Sequence, residues 1–288
     1  MTDFINTVDV LGDSAVLDSI IDGTITEFRD SNIKTIGAGA FRECTALETV
    51  CFPNATTIGA GAFRGSGLKA ITPDTFPKVT KIEYLYGSHI FGECGLETVD
   101  WPSLVTTNEG YLFIDCKSLR SVSLPNWNSY GTYNSQVFLG CSSLTDVDLP
   151  KLAGGIGDWF QGCSSLKKIT LPLVTEVNYR TFWHCTELEI IDLPSCVKTG
   201  GYYTFCDTPK LKALILRSTT MCAFTSNNYT FDGSGIANGV GHVYVPRELL
   251  TQYASATNWS TFGSSIFRAL EDYTVDGTIT GALDEDKI

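Results

Sequence analysis

The stretches FLGCSSLTDVDLP at Phe138–Pro150, FQGCSSLKKITLP at Phe160–Pro172 and FWHCTELEIIDLP at Phe182–Pro194 are three copies of one pattern, F-x-x-C-x-x-L-x-x-V-x-L-P. Equally good copies start at Phe41 and Phe113, and copies one residue shorter before the Leu start at Phe63 and Phe91. A copy at Phe205 has Arg217 where the others have Pro, and a degenerate ninth runs from Phe231 to V-Y-V-P at Val243–Pro246. The Phe-to-Phe steps are 22, 28, 22, 25, 22, 22, 23 and 26 residues. A period near 22 sustained nine times marks an array in which each unit buries its apolar face only against its neighbours.

Each residue type in the unit has a physical task. L-x-x-V-x-L alternates, so Val and Leu face one side of a short strand and the residues between them the other. The following Pro ends the strand because it has no N–H for the ladder. The linking stretch, seen best as T-I-G-A-G-A-F at 35–41 and 57–63, supplies glycines for tight bends. One strand per unit stacked in register gives a parallel sheet with units ~4.8 Å apart, so nine make a rod of roughly 40 Å. The expected architecture is an α/β repeat solenoid: a right-handed coil of leucine-rich-repeat type, one short parallel strand per repeat, capped at both ends.

The unit resembles the BspA-type leucine-rich repeat, in which L-x-x-V-x-L-P is followed by I-G-x-x-A-F-x-x-C. The resemblance covers about residues 33–246. It implies a bacterial, often surface-associated protein that binds host proteins or other cells. Around the array, residues 1–32 read as an N-terminal cap with a short helix near 13–21 and a strand at Thr24–Phe28. Residues 247–272 read as a C-terminal helical cap, with Leu249, Leu250 and Tyr253 on one helix face and Trp259, Phe262, Ile266 and Phe267 closing the last repeat. Residues 273–288 form an acidic tail. The string D-G-T-I-T occurs at Asp22–Thr26 and again at Asp276–Thr280, as coincidence or as a hairpin used twice.

Composition narrows the function. With 20 basic and 32 acidic residues the net charge is −12, which disfavours nucleic acid and anionic lipid as partners. A hydrophobic content of 43% supports a folded core. No run of 18 apolar residues is present, so no membrane-spanning helix is expected. The start carries Asp3, Asp9 and Asp13 where an export signal is basic and then apolar. A cytoplasmic or phage-particle setting is therefore expected, with the cell surface as the alternative if a leader precedes Met1.

Ten cysteines raise the question of chemistry. Cys44, Cys94, Cys116, Cys141, Cys163 and Cys185 fill one slot three residues after Phe, which Ser66, Thr208 and Ser234 fill elsewhere. Zinc ligands would cluster at spacings such as C-x-x-C, which are absent. Interchange of Cys, Ser and Thr reads as a buried ladder of free thiols whose weak donors satisfy neighbouring backbone; inter-repeat disulfides are the competing reading. Cys51, Cys196, Cys206 and Cys222 lie outside the slot. His89, His184 and His242 sit in different units, and His184 beside Cys185 is no dyad, because adjacent residues point apart. No phosphate loop or cofactor site is present, and the chain reads as a non-enzyme with no metal.

Two surfaces are candidates for a protein or glycan partner. One is the outward row at the x of V-x-L, comprising Cys51, Thr72, Asp100, Ser123, Asp148, Thr170, Asp192 and Ile215. In it Asp100, Asp148 and Asp192 recur two strands apart, ~10 Å, which also relieves like-charge repulsion on a merely soluble face. The other is made by lengthened Pro-to-Phe turns: 14 residues from Pro77 to Phe91, 13 from Pro125 to Phe138, and a similar length from Leu216 to Phe231. Of their aromatics, Tyr86, Trp127 and Tyr133 fall at apolar positions of the repeat and read as core, leaving Tyr84, Tyr130 and Tyr229 as surface candidates. A binding or adhesion protein of bacterial or prophage origin follows, with a self-associating scaffold as the rival.

Overall fold

The structure, a computed structural model, describes residues 10–11, 25–82, 89–107, 110–130, 136–226, 229–275 and 278–279. The chain winds into a parallel β-solenoid of about ten turns. The L-x-x-V-x-L segments stack as the first row of strands. Glu27–Arg29 pairs with Thr49–Cys51; Ala70–Ile71, Thr98–Asp100, Ser121–Ser123 and Asp146–Asp148 form a four-stranded sheet. Lys168–Thr170, Ile190–Asp192, Ala213–Ile215, His242–Val245 and Phe267–Ala269 form a five-stranded one. The register is in step with the repeat: Val99, Val122 and Val147 are direct partners, as are Ile169, Ile191 and Leu214.

The expectation of one strand per repeat needs correcting. The linking stretch is itself extended and builds a second parallel row, including Thr35–Ile36 on Thr57–Ile58 and a ladder of Ala153–Gly157, Leu173–Asn178, Lys198–Gly200 and Ala223–Phe224. These strands are mostly two or three residues long, too short to show alternation in sequence. The cross-section has a third side, made of turns, and it too is hydrogen-bonded along the axis. From Phe41 to Phe205, the N–H of the repeat Phe and that of the residue two further on donate to the next coil: Phe138 to Trp159 and Gly140 to Gln161, Phe182 to Thr204 and His184 to Cys206. The α component is small, for among the described residues helical turns occur only after Pro246. None of the described helices is long and apolar enough to cross a membrane.

The repeat Phe residues make the spine of the core. From Phe41 through Phe63, Phe91, Phe113, Phe138, Phe160, Phe182 and Phe205 to Phe231, successive rings stack at 4.9–5.9 Å with interplanar angles of 4–21°. All nine are fully buried. One Phe per coil, each ring offset-stacked on the next, gives the core a continuous aromatic line along the axis. Trp127 also lies in the core, stacked on Trp159 at 5.3 Å.

At the C-terminal end, a 3-10 turn at Arg247–Leu249 leads into the helix Leu250–Ser255. Tyr253, Trp259, Ile266 and Phe267 are buried over the last coil, while Leu249, Leu250 and Phe262 pack at its edge. Phe267–Ala269 then adds a strand parallel to His242–Val245, so the cap covers the array's end and also continues its sheet. Thr274–Val275 pairs antiparallel with Thr278–Ile279. At the other end the strand is Glu27–Arg29, whereas the helix expected at 13–21 lies outside the described residues.

Candidate functional site

The six slot cysteines are structural. The thiols of Cys116, Cys141, Cys163 and Cys185 donate to the carbonyls of Phe91, Phe113, Phe138 and Phe160, the repeat Phe of the preceding coil, at 2.9–3.2 Å. Cys94 lies 3.1 Å from the Ser66 hydroxyl in the coil before it. All ten cysteines are free. Burial pushes the Cys94 thiol up to about 11 and raises the thiols of Cys116, Cys141, Cys163 and Cys185 further, so none is a thiolate nucleophile at neutral pH. Among the described residues no group of three or more His, Cys, Asp or Glu is placed to hold a metal ion.

The carboxylate row divides. Asp100 and Asp148 flank Ser123 in one sheet, with the Ser123 hydroxyl 3.5 Å from Asp148. Asp192 belongs to the other sheet and is held by Arg217, whose Nε and Nη2 reach it at 2.9–3.1 Å. Arg217 is the residue that replaces the repeat's Pro, and it spends the Asp192 charge on an internal pair rather than on a ligand. Of the aromatic candidates, Tyr84 lies outside the described residues. Tyr130 is in a second-row strand, Ser129–Tyr130, paired with Thr106–Thr107. Tyr86 and Tyr133 also lie outside the described residues.

Tyr229 is different: it is 56% exposed and belongs to a larger feature on the turn side. Its ring stacks on Tyr203 of the preceding coil at 5.5 Å and 12°. Tyr203 stacks on Trp183 of the coil before at 5.1 Å and 20°, and Trp183 on His184 at 4.5 Å. Tyr179 and Tyr202 stand beside this column, both more than half exposed. At its foot Asp207 accepts a hydrogen bond from Trp183 Nε1 at 3.2 Å, with His184 Nδ1 also 3.2 Å away. The Asp158–Arg180 ion pair, at 2.8 Å, lies on the neighbouring turn; burial raises the Asp158 carboxyl and Arg180 opposes that shift.

The local backbone explains how the rings come to lie here. In all nine coils the residue two after Phe is left-handed, from Glu43 (φ 60) to Gly233 (φ 68). The residue two before Phe is left-handed in eight, where the first coils use Gly39 and Gly61 and the later ones Tyr203 (φ 58) and Tyr229 (φ 55). The residue just before Phe is apolar in Ala40, Ala62, Ile90, Leu112, Val137 and Trp159, then becomes Thr181, Thr204 and Thr230. The Thr181 hydroxyl donates to Ile156 O and that of Thr230 to Gly201 O, each tying the turn to the coil before it. The signal in sequence is therefore the run Y-R-T-F-W, Y-Y-T-F, Y-T-F at 179–183, 202–205 and 229–231. A search confined to lengthened turns finds Tyr229 and passes over Trp183, Tyr202 and Tyr203, which sit in tighter coils.

The family model of the BspA type leucine-rich repeat region matches residues 4–86, 75–172 and 132–239, in six copies. No curated protein sequence matches the chain. Among solved structures, a leucine-rich repeat protein from Bacteroides ovatus is 18% identical, with 85% of this chain and 84% of that one covered and a TM-score of 0.39. A leucine rich cell surface protein from Faecalibacterium prausnitzii is 16% identical over 93% and 84%, with a TM-score of 0.38. The pneumococcal vaccine antigen PcpA is 15% identical over 81% and 66%, with a TM-score of 0.40.

Proposed function

Because the chain belongs to the BspA-type leucine-rich repeat family, we propose that it is a non-catalytic binding protein whose contact surface is the aromatic column Trp183–Tyr203–Tyr229 with Tyr179 and Tyr202 beside it. The observation that carries this reading is backbone strain without structural gain. Tyr203 and Tyr229 occupy left-handed positions that glycine fills in the first two coils. A bulky residue there costs of order 1–3 kcal/mol, and such strain concentrates at ligand-contacting sites. Neither ring belongs to the buried core, for Tyr229 is largely exposed and Tyr203 is half-buried.

The partner that fits is a protein. Rings stacked face to face cover most of their own π-faces and offer edges and hydroxyls outward. Sugar rings dock on open aromatic faces, whereas rigid Tyr and Trp with satisfiable polar tips are the anchors of protein interfaces. The test is a pair of printed arrays, one of extracellular and cell-surface proteins and one of glycans. They are probed with the wild-type chain and with the triple variant Trp183→Ala, Tyr203→Gly, Tyr229→Gly. Protein hits that fall at least tenfold in the variant support the reading. Hits that survive it, hits confined to glycans, or no hits at all would refute it.

A further inference from the structure

Two thiols differ from the ladder. At the corner after the first-row strand, the residue two past Pro turns back and its N–H bonds to the carbonyl three residues earlier: Ala55 to Phe52, Val79 to Phe76, Leu104 to Trp101, Trp127 to Leu124 and Leu152 to Leu149. In those coils the side chain is a buried hydrocarbon or indole. Cys196 makes the same turn on Leu193, and it places a thiol where the earlier coils place apolar bulk. Its neighbour is Cys222 of the following coil, with the two sulfurs 3.7 Å apart and both residues fully buried. The Cys196 thiol also reaches the Lys198 carbonyl at 3.3 Å, but unlike the ladder thiols it has a second thiol within contact distance.

The backbone around the pair is fixed. The Cys222 N–H donates to the Tyr253 hydroxyl at 2.7 Å, and its carbonyl accepts from Trp259 Nε1 at 2.8 Å. Both clamps come from the C-terminal cap. Lys198 pairs directly with Ala223, so Cys196 and Cys222 stand on adjacent coils ~4.8 Å apart and one position out of direct register, a diagonal that still falls inside the Cα range of roughly 4.4–6.8 Å that disulfides span. Closing the gap to a bond of about 2.05 Å is a side-chain movement of under ~2 Å.

We infer that Cys196 and Cys222 are a reversible dithiol–disulfide pair that exchanges with small-molecule disulfides and staples the last two coils of the array. The Cys196 thiolate attacks one sulfur of the oxidant RSSR, forming a mixed disulfide and releasing one RS⁻. Cys222 then loses its proton and attacks the Cys196 sulfur, breaking the mixed disulfide and releasing the second RS⁻. The two protons given up by the cysteines go to the leaving thiolates, so the dithiol is oxidised by two electrons and RSSR is reduced to two RSH. The hydrogen bond from Cys222 holds the Cys196 thiol below its ordinary value, while donating that bond and burial raise Cys222, which orders the two attacks. Access comes through opening of the Tyr253–Trp259 cap. The staple joins the coil that carries Tyr202 and Tyr203 to the coil that carries Tyr229, whatever that column binds.

The experiment uses the full chain, purified reduced and incubated folded in glutathione disulfide, then acid-quenched, denatured and counted for free thiols. Oxidation is expected to remove two of the ten thiols, without dimer, and peptide mapping is expected to join Cys196 to Cys222. Cys196→Val, which installs a hydrocarbon like Val174 of the preceding coil, keeps the fold and is expected to lose no thiol beyond the one replaced. Retention of all ten thiols, a link between any other two cysteines, or glutathione attached at the half-exposed Cys51 as the sole change would overturn the inference.

Discussion

The molecule carries two aromatic columns with nearly the same spacing and opposite purposes. Inside, nine Phe rings stack at 4.9–5.9 Å along the axis and are wholly buried. Outside, Trp183, Tyr203 and Tyr229 stack at 5.1–5.5 Å, the first two half-buried and Tyr229 exposed. The common spacing is the rise of the coil, so stacking alone says nothing about use. The difference lies in what each column demands of the backbone. The Phe spine gains from the hydrophobic effect and is present in every coil. The outer column is confined to three coils, and two of its three rings, Tyr203 and Tyr229, sit on left-handed residues.

The largest effect expected from breaking this comparison lies inside. Phe138→Ala removes a ring clasped between Phe113 and Phe160 and leaves a cavity that coils tied on three sides cannot close. A loss of about 3–5 kcal/mol is expected, measured by chemical denaturation. Because each coil is stabilised by its neighbours, the unfolding transition is also expected to broaden or split near the middle of the array. A loss under about 1 kcal/mol would mean that the spine is not the core.

Next comes the thiol ladder. Cys141→Ala removes one of two donors to the buried Phe113 carbonyl, the Cys116 N–H staying on it at 3.3 Å, so the lost bond and buried sulfur together are expected to cost about 1–2 kcal/mol. Cys141→Ser restores a donor and is expected to recover at least half of that loss. Equal losses for Ala and Ser would show that the slot selects for volume rather than for a donor. Alkylation in the folded state is expected to spare the ladder up to pH 9. The thiol pKa values are raised above their ordinary value, so reactivity appears only as pH climbs toward the folded values or as the chain unfolds.

The outer column is also where reading the sequence loses ground, for physical reasons. The solenoid was legible because Phe, Cys, Leu, Val and Pro recur at positions the core dictates. The second strand row was not, because two-residue strands such as Thr35–Ile36 carry no period of their own. The equal spacing of Asp100, Asp148 and Asp192 suggested one carboxylate row, yet Asp192 is neutralised by Arg217, a long-range partner that only the coil geometry brings near. Tyr229 was found through the length of its turn. Tyr203 was not, although both stand two residues before Phe, because a φ sign is invisible wherever the residue is not glycine.

A smaller effect tests whether the left-handed position is costly in any coil. Gly39 lies at the place of Tyr203 and Tyr229, with φ 66, and a Cβ there would meet only the Arg42 Cβ, at 4.0 Å. Gly39→Ala therefore has room and suffers only the backbone penalty, so a loss of about 1 kcal/mol is expected. No loss would remove strain from the argument for the outer column.

The smallest stability effect is expected at the outer column itself, and its smallness is what sharpens the comparison. Tyr229→Gly relieves a left-handed tyrosine, which is worth of order 1 kcal/mol. Against that stand the lost ring stacking on Tyr203, about 0.5–1.5 kcal/mol, and the greater freedom of an unfolded glycine, about 0.5–1 kcal/mol. The opposing terms leave a net change within about 1 kcal/mol, a shift of only a few degrees in Tm for a chain of this size. If Tyr229 instead shielded the last coil, its removal would uncover Phe231 and Phe224 and cost as much as a cavity in the spine. Thermal unfolding of Tyr229→Gly and Tyr203→Gly beside Phe138→Ala therefore decides whether the outer rings are covering or contact. Near-native stability in the first two leaves recognition as the reason for keeping tyrosine where glycine fits the backbone better.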